Sequence, residues 1–150
     1  MKILVPVDGS EHSLKALEVA ADYAKMKEAQ IYVISVAAAI GGIEDHEIPP
    51  RMLQSQEEHV KEFADKAIKT AREFMVKEQV KPGFSEIVTT MLSVPDAIID
   101  FAKTEKIDLI IMGSRGLGTS SIFKIGSIAN QVVKHSHCSV YLVKPRGGQG

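Results

Sequence analysis

Asp8-Gly9-Ser10 closes the first apolar run of the chain, and Gly113-Ser114-Arg115-Gly116-Leu117-Gly118 closes the fourth. Gly113, Gly116 and Gly118 admit backbone conformations and close approaches that a side chain forbids. Further on, Gly126-Ser127 opens a helical pattern whose first N–H groups and positive dipole end suit a phosphate. Arg115 and Lys124 put two cations nearby. Ionised, Asp8 is an acceptor-only group, the chemistry needed by ribose hydroxyls or an adenine amine. Each feature also has a plain structural use. Glycines between a strand and a helix are turn formers, and Asp8 before Gly9-Ser10 is a turn or cap residue. Together, at one edge of a sheet, they favour nucleotide binding.

Other chemistry-bearing residues assemble less well. His135-Ser136-His137-Cys138 has the residue types of a metal site, but positions 135 and 137 on a helix end share no face and no second cluster completes a set. No Ser–His–acid set and no paired carboxylates converge on the two loops. His12, in the first turn after Asp8, reads as exposed. Cys138 reads as a small buried hydrophobe, and Met52, Met75 and Met91 as core filling.

The elements that must position these residues alternate along the chain. Ile3-Leu4-Val5-Pro6-Val7 is a strand buried on both faces. Ser10 caps a helix of about 17 residues with Leu14, Leu17, Ala20, Ala21 and Ala24 on one face. Residues 31–36 are a second buried strand, followed by a long connection over 37–50. The longest helix runs from about Arg51 to Gln79, with Val60, Phe63, Ala64, Ala67, Ile68, Ala71, Phe74 and Met75 predicted to face inward. Residues 86–92 form a less apolar strand, as an outer strand would be. Ser93 caps a helix with Pro95 in its first turn, burying Ile98, Phe101 and Ala102. Residues 108–112 are the fourth strand. A last helix from Gly126-Ser127 is predicted to bury Ile128, Ala129, Val132 and Val133, and Val140-Tyr141-Leu142-Val143 is the fifth strand. Five strands alternating with four helices give an open, mostly parallel α/β sheet covered on both faces. Ligands of such sheets sit beyond the carboxyl ends of the strands, where the strand order reverses.

Composition sets the outer bounds. With 150 residues the chain is one domain, expected over 1–146 with a flexible tail at 147–150. Hydrophobic residues make up 45% and charged residues 25%, the balance of a folded soluble protein. The apolar stretches at 31–40 and 109–112 are too short to span a bilayer. A formal net charge of -1, from 18 basic and 19 acidic residues, leaves no electrostatic footprint for nucleic acid. The single cysteine forms no internal disulfide and fits a reducing cytoplasm.

The pattern Gly-x2-Gly-x9-Gly-Ser, met by Gly113, Gly116, Gly126 and Ser127 after Leu109-Ile110-Ile111-Met112, is similar to that of the universal stress protein family. The opening Ile3-Leu4-Val5-Pro6-Val7-Asp8-Gly9-Ser10 also resembles that family's, and the likeness runs along essentially the whole chain. The resemblance implies an adenine nucleotide alpha hydrolase-like sheet in the order 3-2-1-4-5 and the ATP-binding branch of the family. It implies Asp8 and Val36 at the base or ribose with Pro6, Val7 and Met112 beside them. Gly113, Arg115 and Gly116 would line the ribose and phosphates, and Gly126, Ser127 and Ile128 the terminal phosphates, with Mg²⁺ bound through the phosphates. It also implies a cytoplasmic homodimer, expected through the edge strand Val140-Tyr141-Leu142-Val143. Ser93 stands where a glycine is usual, and His137 where proline is common; neither touches the phosphate pattern. The function expected is an ATP-binding regulatory protein of the stress response, signalling to an unknown protein partner. The alternatives are a slow Mg²⁺-dependent ATPase and a nucleotide-free interaction module.

Overall fold

The short apolar runs become strands, and the segments of helical period between them become helices. The computed structural model describes residues 1–38, 50–115 and 125–144, and of residues 50–56 the backbone alone. In chain order the elements are β1 (Lys2–Pro6), α1 (Glu11–Lys27), β2 (Gln30–Ala38), α2 (Pro50–Lys77), β3 (Phe84–Thr90), α3 (Val94–Thr104), β4 (Leu109–Gly113), α4 (Ser127–His135) and β5 (Ser139–Val143). The strands form one sheet in the order β3-β2-β1-β4-β5, every neighbouring pair parallel. This is the expected open sheet of order 3-2-1-4-5 with helices on both faces.

Side-chain alternation splits the core into two layers. Ile3 and Val5 of β1 point to the face covered by α1 and α2, with Leu17, Ala67, Ile68 and Met75. Leu4 points to the opposite face, with Ile34, Ile98, Ile110 and Val132 under α3 and α4. Ile3, Leu4, Val5, Ile110 and Ile111 are wholly buried, which is why the central strands read as unbroken apolar runs. Each such side chain stabilises the fold by about 1.5–3 kcal/mol.

Serines set the starts of α1 and α3. Ser10 Oγ accepts the Ser13 N–H at 3.2 Å. Ser93 Oγ accepts the Asp96 N–H at 3.3 Å and donates to Asp96 Oδ2 at 2.7 Å. Caps of this kind contribute about 1 kcal/mol each.

Several expectations are corrected. β3 begins at Phe84, where the ring stacks on Tyr32 at 6.3 Å, and ends at Thr90 opposite Ala38, the last residue of β2. Met91 therefore lies past the paired region and is 75% exposed, not core filling. Ile128 and Val133 are exposed too, because α4 turns only Ala129 and Val132 into the layer it shares with α3. Phe63 is 62% exposed on α2. Cys138 is half-buried against the α3–α4 layer. Among the described residues no helix is long and apolar enough to cross a membrane. The expectations for most of the 37–50 connection, for Gly116, Gly118 and Lys124, for the Met52 side chain and for the 147–150 tail lie outside the described residues.

Candidate functional site

The strand order reverses between β1 and β4, which pair through Ile3 with Leu109 and Leu4 with Ile110. Beyond the carboxyl ends of these two strands lies a cleft of about 690 Å³, within the size range of small-molecule sites. Its floor is Pro6 and Val7 of the β1 end, Val36 of β2, and Met112 and Gly113 of β4. Asp8 and Arg115 project from the loops, and Gly126, Ser127 and Ile128 arrive with the first turn of α4. Every described residue singled out from the sequence for this site thus lines one cavity; Gly116 is outside the described residues.

Local hydrogen bonding holds the β1–α1 loop. Asp8 Oδ1 accepts the Ser10 N–H at 2.9 Å, and the Asp8 N–H points to Ser13 Oγ at 3.4 Å. Ser13 Oγ donates to the Ser10 carbonyl at 2.9 Å. Gly9 turns the chain with φ +85°, a conformation glycine adopts at no steric cost. Asp8 is the only acidic side chain among the described residues of the lining.

The β4–α4 connection is pinned at both ends. The Ser114 N–H donates to the Val143 carbonyl at 3.0 Å, carrying the β4–β5 pairing one residue further. The Gly126 N–H then donates to the Ser114 carbonyl at 2.7 Å, which brings the start of α4 back to the end of β4. Gly126 is the N-cap of α4 and, as a glycine, makes no side-chain cap hydrogen bond to the helix's first turn. Those N–H groups and the positive dipole end are open to an anion. Arg115 Nε is shielded from solvent with no hydrogen-bond partner among the described residues. A buried guanidinium N–H in that condition is costly unless an acceptor arrives. Together these donors can hold an anion, and the apolar floor can hold a ring system.

Sequence reasoning missed part of the lining. Val60, Phe63 and Ala64 of α2 and Val94 and Ile98 of α3 form the walls. Their periodicity marks them as core-facing, and nothing local distinguishes a core position from a cleft wall. Ser13, Ser35 and Asn130 add polar groups. His12 is half-buried rather than exposed, with Nδ1 shielded and unpartnered among the described residues. It packs behind Gly113 and does not line the cleft. No group of three His, Cys, Asp or Glu side chains among the described residues could hold a metal ion.

Residues 1–144 match the universal stress protein family. The chain belongs to that family. A universal stress protein of Methanocaldococcus jannaschii is 35% identical over 149 residues, covering 95% of this chain and 81% of that protein. Among solved structures, the universal stress protein UspA from Lactobacillus plantarum superposes with a TM-score of 0.79 at 24% identity, covering 95% of this chain and 97% of its own. The universal stress protein from Archaeoglobus fulgidus in complex with dAMP gives a TM-score of 0.70 at 23% identity, covering 96% and 98%. The universal stress protein fold is therefore shared across chains with fewer than one residue in four identical.

Proposed function

We propose that this universal stress protein holds ATP or another adenine nucleotide in the cleft above β1 and β4 and acts as a regulatory protein of the stress response. One observation carries the reading: a helix start whose glycine cap has no side chain, a buried guanidinium N–H with no partner among the described residues and a carboxylate loop converge on one cavity at the switch point of the sheet. The dAMP complex of the Archaeoglobus fulgidus relative supports the choice of an adenine nucleotide. Asp8 and Val36, with Pro6, Val7 and Met112, take the base and ribose. Gly113 and Arg115, with Gly116, line the ribose and phosphates. Gly126, Ser127 and Ile128 take the terminal phosphates through the N–H groups of α4, and Mg²⁺ binds through the phosphates. The protein works in the cytoplasm as a homodimer joined along β5, and its nucleotide state is read by a protein partner.

The residues fit this ligand in kind. Backbone N–H groups cost no reorganisation when they meet a phosphate, and the Arg115 guanidinium supplies charge in a partly desolvated place. The test is mass analysis of whatever small molecule is released when the purified protein is denatured. An adenine nucleotide near one per chain is expected; a protein that releases none and takes up none in calorimetry contradicts the reading.

A further inference from the structure

The geometry points to Phe63 of α2 as the residue that recognises the base, by laying its ring on the purine face; the inference rests on the nucleotide reading of the same cleft. α2 has 28 residues and so is about 42 Å long, whereas the strands beneath it have five to nine residues. It runs against the strand direction, so its N-terminal turns overshoot the carboxyl edge of the sheet. Ala64, Ala67, Ile68, Ala71 and Met75 form its buried stripe. Ala67 marks where the helix passes the β1–α1 loop, since a Cβ on Gly9 would sit 3.9 Å from the Ala67 Cβ. Phe63 lies about one turn and Val60 about two turns further out, and both wall the cleft instead of the core.

An aromatic ring left 62% exposed at that place has no core to fill. It is the only aromatic side chain among the described residues of the lining. Tyr32, Phe84 and Phe101 meet one another in the other layer of the fold. Ile125 and Ile128, exposed by 41% and 39%, line the same cleft and add apolar surface to it. A purine has apolar faces and a polar edge, and stacking serves the faces. The cleft separates the two chemistries in the same sense. α4 brings its N–H groups from the β4 side, while α2 packs mainly on β2, one strand beyond β1. A nucleotide with its phosphates at α4 and its ribose near Asp8 carries its base toward α2.

The chain contains no tryptophan, so Phe63→Trp creates a single fluorophore at the proposed contact. Titration with ATP and with AMP should quench its emission, and inorganic tripolyphosphate should not. In calorimetry Phe63→Ala should weaken ATP by about 5- to 150-fold, the range for loss of one base–aromatic stack, with tripolyphosphate affinity unchanged. Phe63→Tyr should restore ATP affinity. Circular dichroism keeps the comparison to folded proteins. If wild-type protein binds ATP while Phe63→Ala binds it equally well, or the tryptophan is unmoved at saturating ATP, Phe63 is not the base contact and the cleft reading stands. If wild-type protein binds no adenine nucleotide, both fall.

Discussion

Gly113, the last residue of β4, lies directly against His12 in the first turn of α1. A Cβ at Gly113 would stand 2.9 Å from His12 Cβ and 3.0 Å from the His12 carbonyl carbon, with the Arg115 oxygen also at 3.0 Å. Helix and strand end meet backbone to backbone, with no room for a methyl group. This contact fixes the distance between the loop that carries Asp8 and the turn that carries Arg115. A glycine read from sequence as a phosphate contact therefore also sets how the two halves of the cleft fit.

Gly113→Ala should cost about 1–3 kcal/mol of stability, because two of the three crowded atoms are backbone and cannot swing away. Gly83→Ala makes the control. The atoms nearest its Cβ would all belong to the Gln30 side chain, whose far end can swing away, so the loss should be smaller. Urea unfolding of the two variants checks the order.

Asp8→Ala should weaken ATP by about 5- to 150-fold, corresponding to roughly 1–3 kcal/mol for a charged hydrogen bond. The phosphate contacts remain, so ATP should still be preferred over adenosine in calorimetry. Asp8→Asn keeps an oxygen able to accept the Ser10 N–H, now made at 2.9 Å, and separates the loop's integrity from the charge. Loss of the triphosphate preference would place Asp8 on the phosphate side.

How much of this was legible in the sequence differs by element. The unbroken runs at β1 and β4 announce strands buried on both faces, and Ser10 announces the start of α1. The strand order came with the family resemblance and not from periodicity, which permits several doubly wound arrangements. Periodicity also marks a stripe without saying which turns of a helix are covered. Phe63 and Val60 share the stripe with Ala64 and Ala67, yet α2 outruns the sheet and leaves them at the cleft. Val133 fails because α4 turns only Ala129 and Val132 toward α3 and the sheet. Met91 continues the alternation of β3, but β2 ends at Ala38 and the pairing stops there.

β5 is an outer strand with Lys144 as the first charge beyond it. An edge so lightly protected invites a second copy, and pairing two such edges closes a two-fold dimer. Wild-type protein is expected to scatter as a dimer at micromolar concentration. Leu142→Pro removes a backbone donor and should give monomers, as should Tyr141→Glu, which sets charge on a side chain 46% exposed on that strand. A folded variant that remains dimeric, or a monomeric wild type, places the interface elsewhere.

Burial raises the Cys138 thiol pKa above its usual 9.0; a hydrogen bond with its own backbone offsets part of this, and the nearby Asp108 charge adds to it. The folded state thus holds its proton more tightly than the unfolded state. The resulting stability is fully present below about pH 9 and is lost as pH rises through the folded value. Cys138→Ala should flatten the alkaline limb of a stability profile taken by urea unfolding. An unchanged limb would show that another group titrates there.

In the proposed function, the start of α4 receives the terminal phosphates of an adenine nucleotide. Gly126 has φ -66° and ψ 158°, extended backbone that any residue adopts, so Gly126→Val should leave the fold intact while placing a branched side chain where a phosphate approaches. Calorimetry of ATP with the wild type and with Gly126→Val, each checked by circular dichroism, tests this directly. One site per chain is expected in the wild type, and a loss of more than about 100-fold in the variant. Wild-type affinity for ATP in a natively folded Gly126→Val protein would contradict it.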